Sequence, residues 1–191
     1  ALHSKPGLSK VLYLDFDGEI VTGSAWNSEY GTASWTCKAY DTDGDPTTFS
    51  DTELAAIQEI WQRVSEDYAP FMIDVTTQKP TAYNTLTTHA VITANADANG
   101  VNLPNPTFGG YAYIGYFGTT ANVYRSPVFI YYNKLGSTNT KKIAEASSHE
   151  VGHNMGLTHD GTTTGDSYYY GHGVGDVSWA PIMGVGYNVN V

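Results

Sequence analysis

The sequence predicts an α/β fold in its α+β form, and three observations carry that prediction. An apolar run near the N-terminus reads as a buried strand. Helical spacing of apolar residues appears twice, once after Ser50 and again near Thr140. Beyond Asp160 the chain is rich in Gly, Thr and Tyr and has little periodicity, which predicts an irregular C-terminal lobe.

Taken in order, Lys10–Phe16 (KVLYLDF) is the first strand, and Gly18–Pro46 is a polar, Gly/Ser/Thr-rich stretch. Ser50-Asp51-Thr52-Glu53 is a capping box, with Ser50 as N-cap and Glu53 three residues on. Leu54, Ile57, Trp61 and Val64 then follow at helical spacing, so a helix is expected from about Asp51 to Tyr68. Pro70–Thr76, His89–Ala94, Tyr111–Tyr116 and Val128–Asn133 read as strands. Helical spacing resumes near Thr140 and runs to about Met155.

Composition bounds the function. The 191 residues suit one domain, residues 1–191, with an upper lobe over about 1–158 and a lower lobe over about 159–191. A formal net charge of −10 argues against nucleic acid or an anionic membrane as partner, and no apolar run approaches a membrane span. Cys37 is the lone cysteine, so no internal disulfide forms. Cysteine avoidance suits a secreted bacterial enzyme. The chain starts at Ala1 with no initiator methionine, so a targeting or pro-segment is expected to have been removed or to lie outside it.

The second helix carries the chemistry. His149-Glu150-Val151-Gly152-His153-Asn154-Met155-Gly156-Leu157-Thr158-His159-Asp160 reads H-E-x-x-H-x-x-G-x-x-H-D. Four residues apart on a helix, His149 and His153 share one face and can grip one ion. Gly156 lets the chain leave the helix through a conformation that a side chain disfavours, and the turn returns His159 as a third ligand. Three neutral imidazoles with an open fourth position describe a catalytic zinc site; a structural zinc is closed by four protein ligands. Glu150 projects beside them as the general base for a water on the ion.

This stretch resembles the zinc signature of the metzincin metallopeptidases, closest to their reprolysin (adamalysin) branch. Ala180-Pro181-Ile182-Met183-Gly184 resembles that family's methionine turn, which places Met183 as an apolar floor beneath the metal. The resemblance implies a mixed five-stranded sheet with two long helices, the zinc helix flooring a cleft and the tail forming a small lower lobe. It implies a secreted zinc endopeptidase, expected to be a monomer, that hydrolyses peptide bonds in extended polypeptides. It also implies that Asp160 ties the third-histidine turn to the methionine turn. The stretch Gly110-Tyr111-Ala112-Tyr113 resembles the edge strand on which a substrate adds as an antiparallel strand. In two other branches a tyrosine two residues after the methionine aids the oxyanion. Tyr187, four residues after Met183, is the candidate here, and packing is the alternative reading.

Other constellations compete. Asp41, Asp43 and Asp45 alternate as calcium-loop ligands do, and three such charges repel one another unless a cation neutralises them. Pro46 stands at the EF-hand glycine position and Thr52 at that of the bidentate Glu, so a structural Ca²⁺ site and a solvated acidic turn both stay open. A calcium-stabilised binding or adhesion module with a vestigial zinc site is the alternative function; the intact Glu150 argues against it. Asp15-Phe16-Asp17-Gly18 matches the D-x-D-G start of haloacid-dehalogenase-type phosphatases without their further acidic pair. His172 lies between two glycines, as a pocket-wall or surface-loop residue.

Overall fold

The computed structural model describes residues 1–190. Its main sheet has five strands: β1 (Val11–Asp15), β4 (Asp74–Thr76), β5 (Thr87–Thr93), β6 (Gly110–Tyr111) and β7 (Val128–Tyr131). The order across it is β4-β1-β5-β7-β6. The first four run parallel, and β6 pairs antiparallel with β7 at the edge, Gly110 opposite Ile130 and Tyr111 opposite Phe129. The fold is thus mixed α/β with the five strands that the resemblance implied.

Two long helices, α2 (Asp51–Asp67) and α4 (Thr140–Asn154), cover one face of the sheet. Strand alternation sorts the side chains. Leu12, Leu14, Ala90, Ile92, Val128 and Ile130 meet Ile57, Ile60 and Val64 of α2 and Ile143, Ala144 and Val151 of α4. Each fully buried Leu, Ile or Val contributes about 1.5–3 kcal/mol of transfer free energy, so this layer holds the zinc helix in place. On the other face, Val91, Phe129 and Tyr131 pack with Val21, Trp26 and Trp35.

That second face is built from the polar stretch Gly18–Pro46, to which the sequence reading assigned no element. It contains a hairpin, β2 (Ile20–Thr22) paired with β3 (Ser34–Thr36), and between them the short helix α1 (Ala25–Tyr30). Ser24 caps α1 in a capping box completed by Asn27 rather than Glu or Gln. Two buried tryptophans anchor the hairpin: Trp26 donates to the Pro127 carbonyl at 2.8 Å and Trp35 to that of Asn102 at 3.1 Å.

Other differences are local. The strand expected over Pro70–Thr76 is confined to Asp74–Thr76. The strand expected to reach Asn133 stops at Tyr131 and turns into α3 (Tyr132–Leu135). In α2, Leu54 is half-exposed and Ile60 takes the core position, because Glu53 turns inward at the first turn. Its Oε1 accepts from the Thr42 amide at 2.6 Å, and its Oε2 accepts from the Ser50 amide at 2.9 Å and hydroxyl at 3.0 Å. Burial by itself would raise this carboxyl, but the bonds from Thr42 and Ser50 outweigh it and hold the pKa below the ordinary 4.5.

Removing this acceptor leaves buried donors unpaired, so Glu53→Ala is expected to cost about 2 kcal/mol in chemical denaturation at neutral pH. A depressed folded pKa means stability that is present above 4.5 and lost as pH falls through the folded value. The gap between wild type and variant should therefore shrink on acidification; a gap that stays constant from pH 7 to pH 3 would contradict this.

Candidate metal centre and cleft

Helix α4 delivers His149, Glu150 and His153, and the way it ends delivers His159. After Asn154 the chain closes a Schellman motif: the Leu157 amide donates to Gly152 O and the Gly156 amide to His153 O, each at 2.9 Å. Gly156 sits at φ +101°, the left-handed region that a side chain disfavours. The chain reverses there and brings His159 against the helix.

The three histidines offer ligand nitrogens within 4.8 Å of one another. The Nδ1 of His149 lies 2.8 Å from the Ile182 carbonyl, and that of His153 lies 2.9 Å from the Leu157 carbonyl. A carbonyl only accepts, so each Nδ1 carries the proton and each Nε2 presents a lone pair. Burial drives His149 down to about 4 against the pull of the Ile182 bond, and the two neighbouring histidines add to the effect. Burial lowers His153 as well. Both are neutral imidazoles at physiological pH, as metal ligands must be. His153 Nε2 and His159 Nε2 face each other at 3.0 Å, close to the roughly 3.4 Å between two nitrogens that share a tetrahedral ion. The donor set fits zinc, and the Ile182 and Leu157 carbonyls already fix two of the three rings.

Met183 and Gly152 explain each other. A Cβ on Gly152 would lie 2.5 Å from Met183 Sδ, so the methionine packs directly against the zinc helix. Met183 is buried, and its carbonyl accepts from the Asp160 amide at 2.8 Å. The tie between the third-histidine turn and the methionine turn is therefore made by the backbone of Asp160.

Above the triad runs the edge strand. Gly110, Tyr111 and Ala112 line the cleft with Glu150, His149, His153 and His159, in a cavity of about 460 Å³. Of the four residues expected in that strand, Gly110 and Tyr111 form β6; Ala112 and Tyr113 fall outside it. The expected Tyr111–Tyr116 strand is cut short because the amides of Gly115, Tyr116 and Phe117 turn away to cap the carbonyls of His153 and Asn154 at 2.8–3.0 Å. Tyr113 faces away from the cleft, stacked on Trp26 at 3.8 Å and donating to Glu29. Gly110 has no room for a side chain: its Cβ would meet Glu150 Cγ at 2.6 Å and Phe129 O at 2.8 Å. Burial raises the Glu150 carboxyl to about 8.

A family model of reprolysin-like metallopeptidases, family M12B, matches residues 40–160, more than half of the chain. The chain belongs to the M12B family. It is a zinc metalloendopeptidase; the family implies a catalytic zinc, and the structure contains a histidine triad. No curated protein matches the chain. The family match ends at residue 160, so the methionine turn of this M12B peptidase lies beyond it.

The remaining expectations divide. Tyr187 lines both the cleft and a neighbouring cavity, with its hydroxyl near Gly109. Tyr168, which no spacing singles out within Tyr168-Tyr169-Tyr170, packs at a tilt against His159 with ring centres 4.1 Å apart and lines the cleft. His172 is an exposed corner residue that bridges to Trp179. Asp41 and Asp43 gather with Glu53, not with Asp45, which accepts from Thr47 and Thr48 instead. The phosphatase reading fails on Asp15. Its carboxylate is buried and paired with His89 at 2.7 Å, and the His89 ring is sandwiched between Tyr13 and Tyr83, so no substrate reaches a nucleophile there.

A methyl group at Gly110 must displace either Glu150 or β6. Gly110→Ala is therefore expected to retain zinc but lose activity by about 10²-fold, the scale of a 1 Å misplacement. Wild-type turnover by this variant would show that the contact does not position Glu150.

Proposed function

We propose that this chain is a secreted, monomeric endopeptidase that hydrolyses extended polypeptides, with Glu150 as general base. The observation that carries the reading is the position of Glu150. It lies between the three imidazoles and the edge strand, packed under the one residue, Gly110, that leaves room for it.

His149, His153 and His159 would hold the ion through Nε2. When bound, Zn²⁺ supplies a Lewis acid that polarises the scissile carbonyl and lowers the pKa of water. Glu150 accepts a proton from the attacking water and passes it to the leaving amine. A neighbouring positive charge favours its carboxylate form against the upward push of burial. Strand β6 is at the sheet edge, so its outer side can pair with a substrate backbone of almost any sequence. Tyr168, packed against His159 in the cleft, is the group we assign to bond the developing oxyanion. The lone buried Cys37 suits an oxidising exterior.

Casein hydrolysis should disappear with a chelator and return with zinc. His149→Ala and His153→Ala should lose zinc and activity together. Glu150→Gln should keep zinc and lose at least ~10²-fold in rate; turnover within tenfold of wild type would remove Glu150 from the base role. Tyr168→Phe should lower kcat about tenfold with KM little changed, as expected for a bond made in the transition state. An unchanged kcat would leave Tyr168 a packing residue.

A further inference from the structure

The cleft continues past His149. A second cavity, of about 90 Å³, is lined by Asp67, Glu145, Ser148, Pro181, Ile182 and Tyr187. Since 10–15 Å³ is roughly the room for one water, this space accommodates an amino-acid side chain. His149 and Tyr187 line both spaces, so the two adjoin. The walls are apolar, from Pro181, Ile182 and the Tyr187 ring. The acidic side comes from helix geometry: Glu145, Ser148 and His149 share one face of α4, and Asp67 is the last residue of the neighbouring α2.

The two carboxylates are short of positive charge. Ser148 Oγ donates to Asp67 Oδ2 at 2.6 Å. Both carboxylate oxygens of Glu145 are buried; Oε1 is ion-paired with Lys141, which also donates to the Gly186 carbonyl at 2.8 Å, and Oε2 has no hydrogen-bond partner. Oε2 lies under Gly186, where a Cβ would approach to 2.7 Å. Of the other cations nearby, Arg63 is turned to Glu59, and the Lys142 ammonium lies over the Tyr187 ring, 5.9 Å from its centre. Burial raises both Glu145 and Asp67 above the ordinary carboxylate range against the pull of their partners.

Strand direction assigns the occupant's place in the substrate. The cleft runs from Thr158 and Ile114, at the C-terminal end of the edge segment, past Gly110 and Glu150 to Gly109 and Tyr187 at its N-terminal end. A substrate antiparallel to β6 lays its N-terminal part along Ile114 and its C-terminal part along Gly109. The side chain that reaches the acidic cavity follows the scissile bond.

Resting on the endopeptidase reading above, we infer that this enzyme selects lysine or arginine at the residue directly C-terminal to the cut, with Glu145 and Asp67 supplying the charge. A lysine or arginine stem suits the apolar walls and its head the carboxylates. An apolar side chain leaves the carboxylates as they are, and an acidic one is repelled.

The test uses the zinc-loaded protein on a denatured protein digest read by mass spectrometry, and on four quenched peptides that differ only in having Lys, Arg, Leu or Glu after the cut. The expected result is cleavage on the N-terminal side of Lys and Arg. For those peptides kcat/KM should be tenfold or more above Leu, with Glu slowest and the preference narrowing at high salt. Glu145→Gln with Asp67→Asn, checked for fold by melting and for zinc content, should bring the Lys-to-Leu ratio close to one. The wild-type comparison decides by itself if that variant fails to fold. Equal or faster cleavage before Leu, cuts falling after Lys, or a wild-type ratio in the folded double variant would overturn the inference. No cleavage of any substrate with zinc bound would defeat the endopeptidase reading itself, and the inference with it.

Discussion

Helix α4 ends at the buried Asn154, and its last carbonyl groups have no helical partner. Their satisfaction organises the site. Gly152 O and His153 O take the Leu157 and Gly156 amides of the reversing turn, which requires the left-handed Gly156. His153 O and Asn154 O take Gly115, Tyr116 and Phe117 from the segment after the edge strand. Asn154 itself is buried, bonded to Thr88 of β5 and to Asn122. One helix end thus places the third histidine, fixes the edge strand over the cleft and locks the zinc helix to the sheet. Unpairing any of these groups would cost about 1–3 kcal/mol and would also move a ligand.

The site's chemistry follows from the same contacts. Two imidazoles have their Nδ1 protons committed to carbonyls, one of them in the methionine-turn segment, so the lone pairs facing the centre are set before any ion arrives. Two glycines let backbone and side chain close in: Gly152 admits Met183 beneath the helix, and Gly110 admits Glu150 beneath the strand. Preorganisation of this kind costs stability through buried polar groups, and the core of α2, α4 and the sheet carries that load.

What the sequence made legible was what one element carries alone. His149, Glu150 and His153 declare themselves because helical spacing fixes their mutual geometry, and Gly156 and His159 because a glycine marks where the helix must end. The α2 start was legible from Ser50 and Glu53, yet the same Glu53 turned inward and displaced Leu54, a tertiary effect that spacing does not encode. The hairpin over Ile20–Thr36 was missed because its strands are three residues each and its helix cap uses Asn27. Asp45 left the expected trio for local threonines, and Tyr168 joined the cleft from a tail without periodicity. Each of these depends on residues far apart in the chain or on choices between local partners. The family match to M12B peptidases independently covers the part of the sequence that was easiest to read.

Three imidazoles leave one coordination position open to chemistry, and X-ray absorption at the zinc edge of the loaded protein reads that position. The ion should be surrounded by three imidazole nitrogens and one further oxygen at about 2.0–2.1 Å, with one nitrogen lost in His159→Ala. A shell closed by a fourth protein ligand, or a spectrum unchanged by His159→Ala, would contradict it.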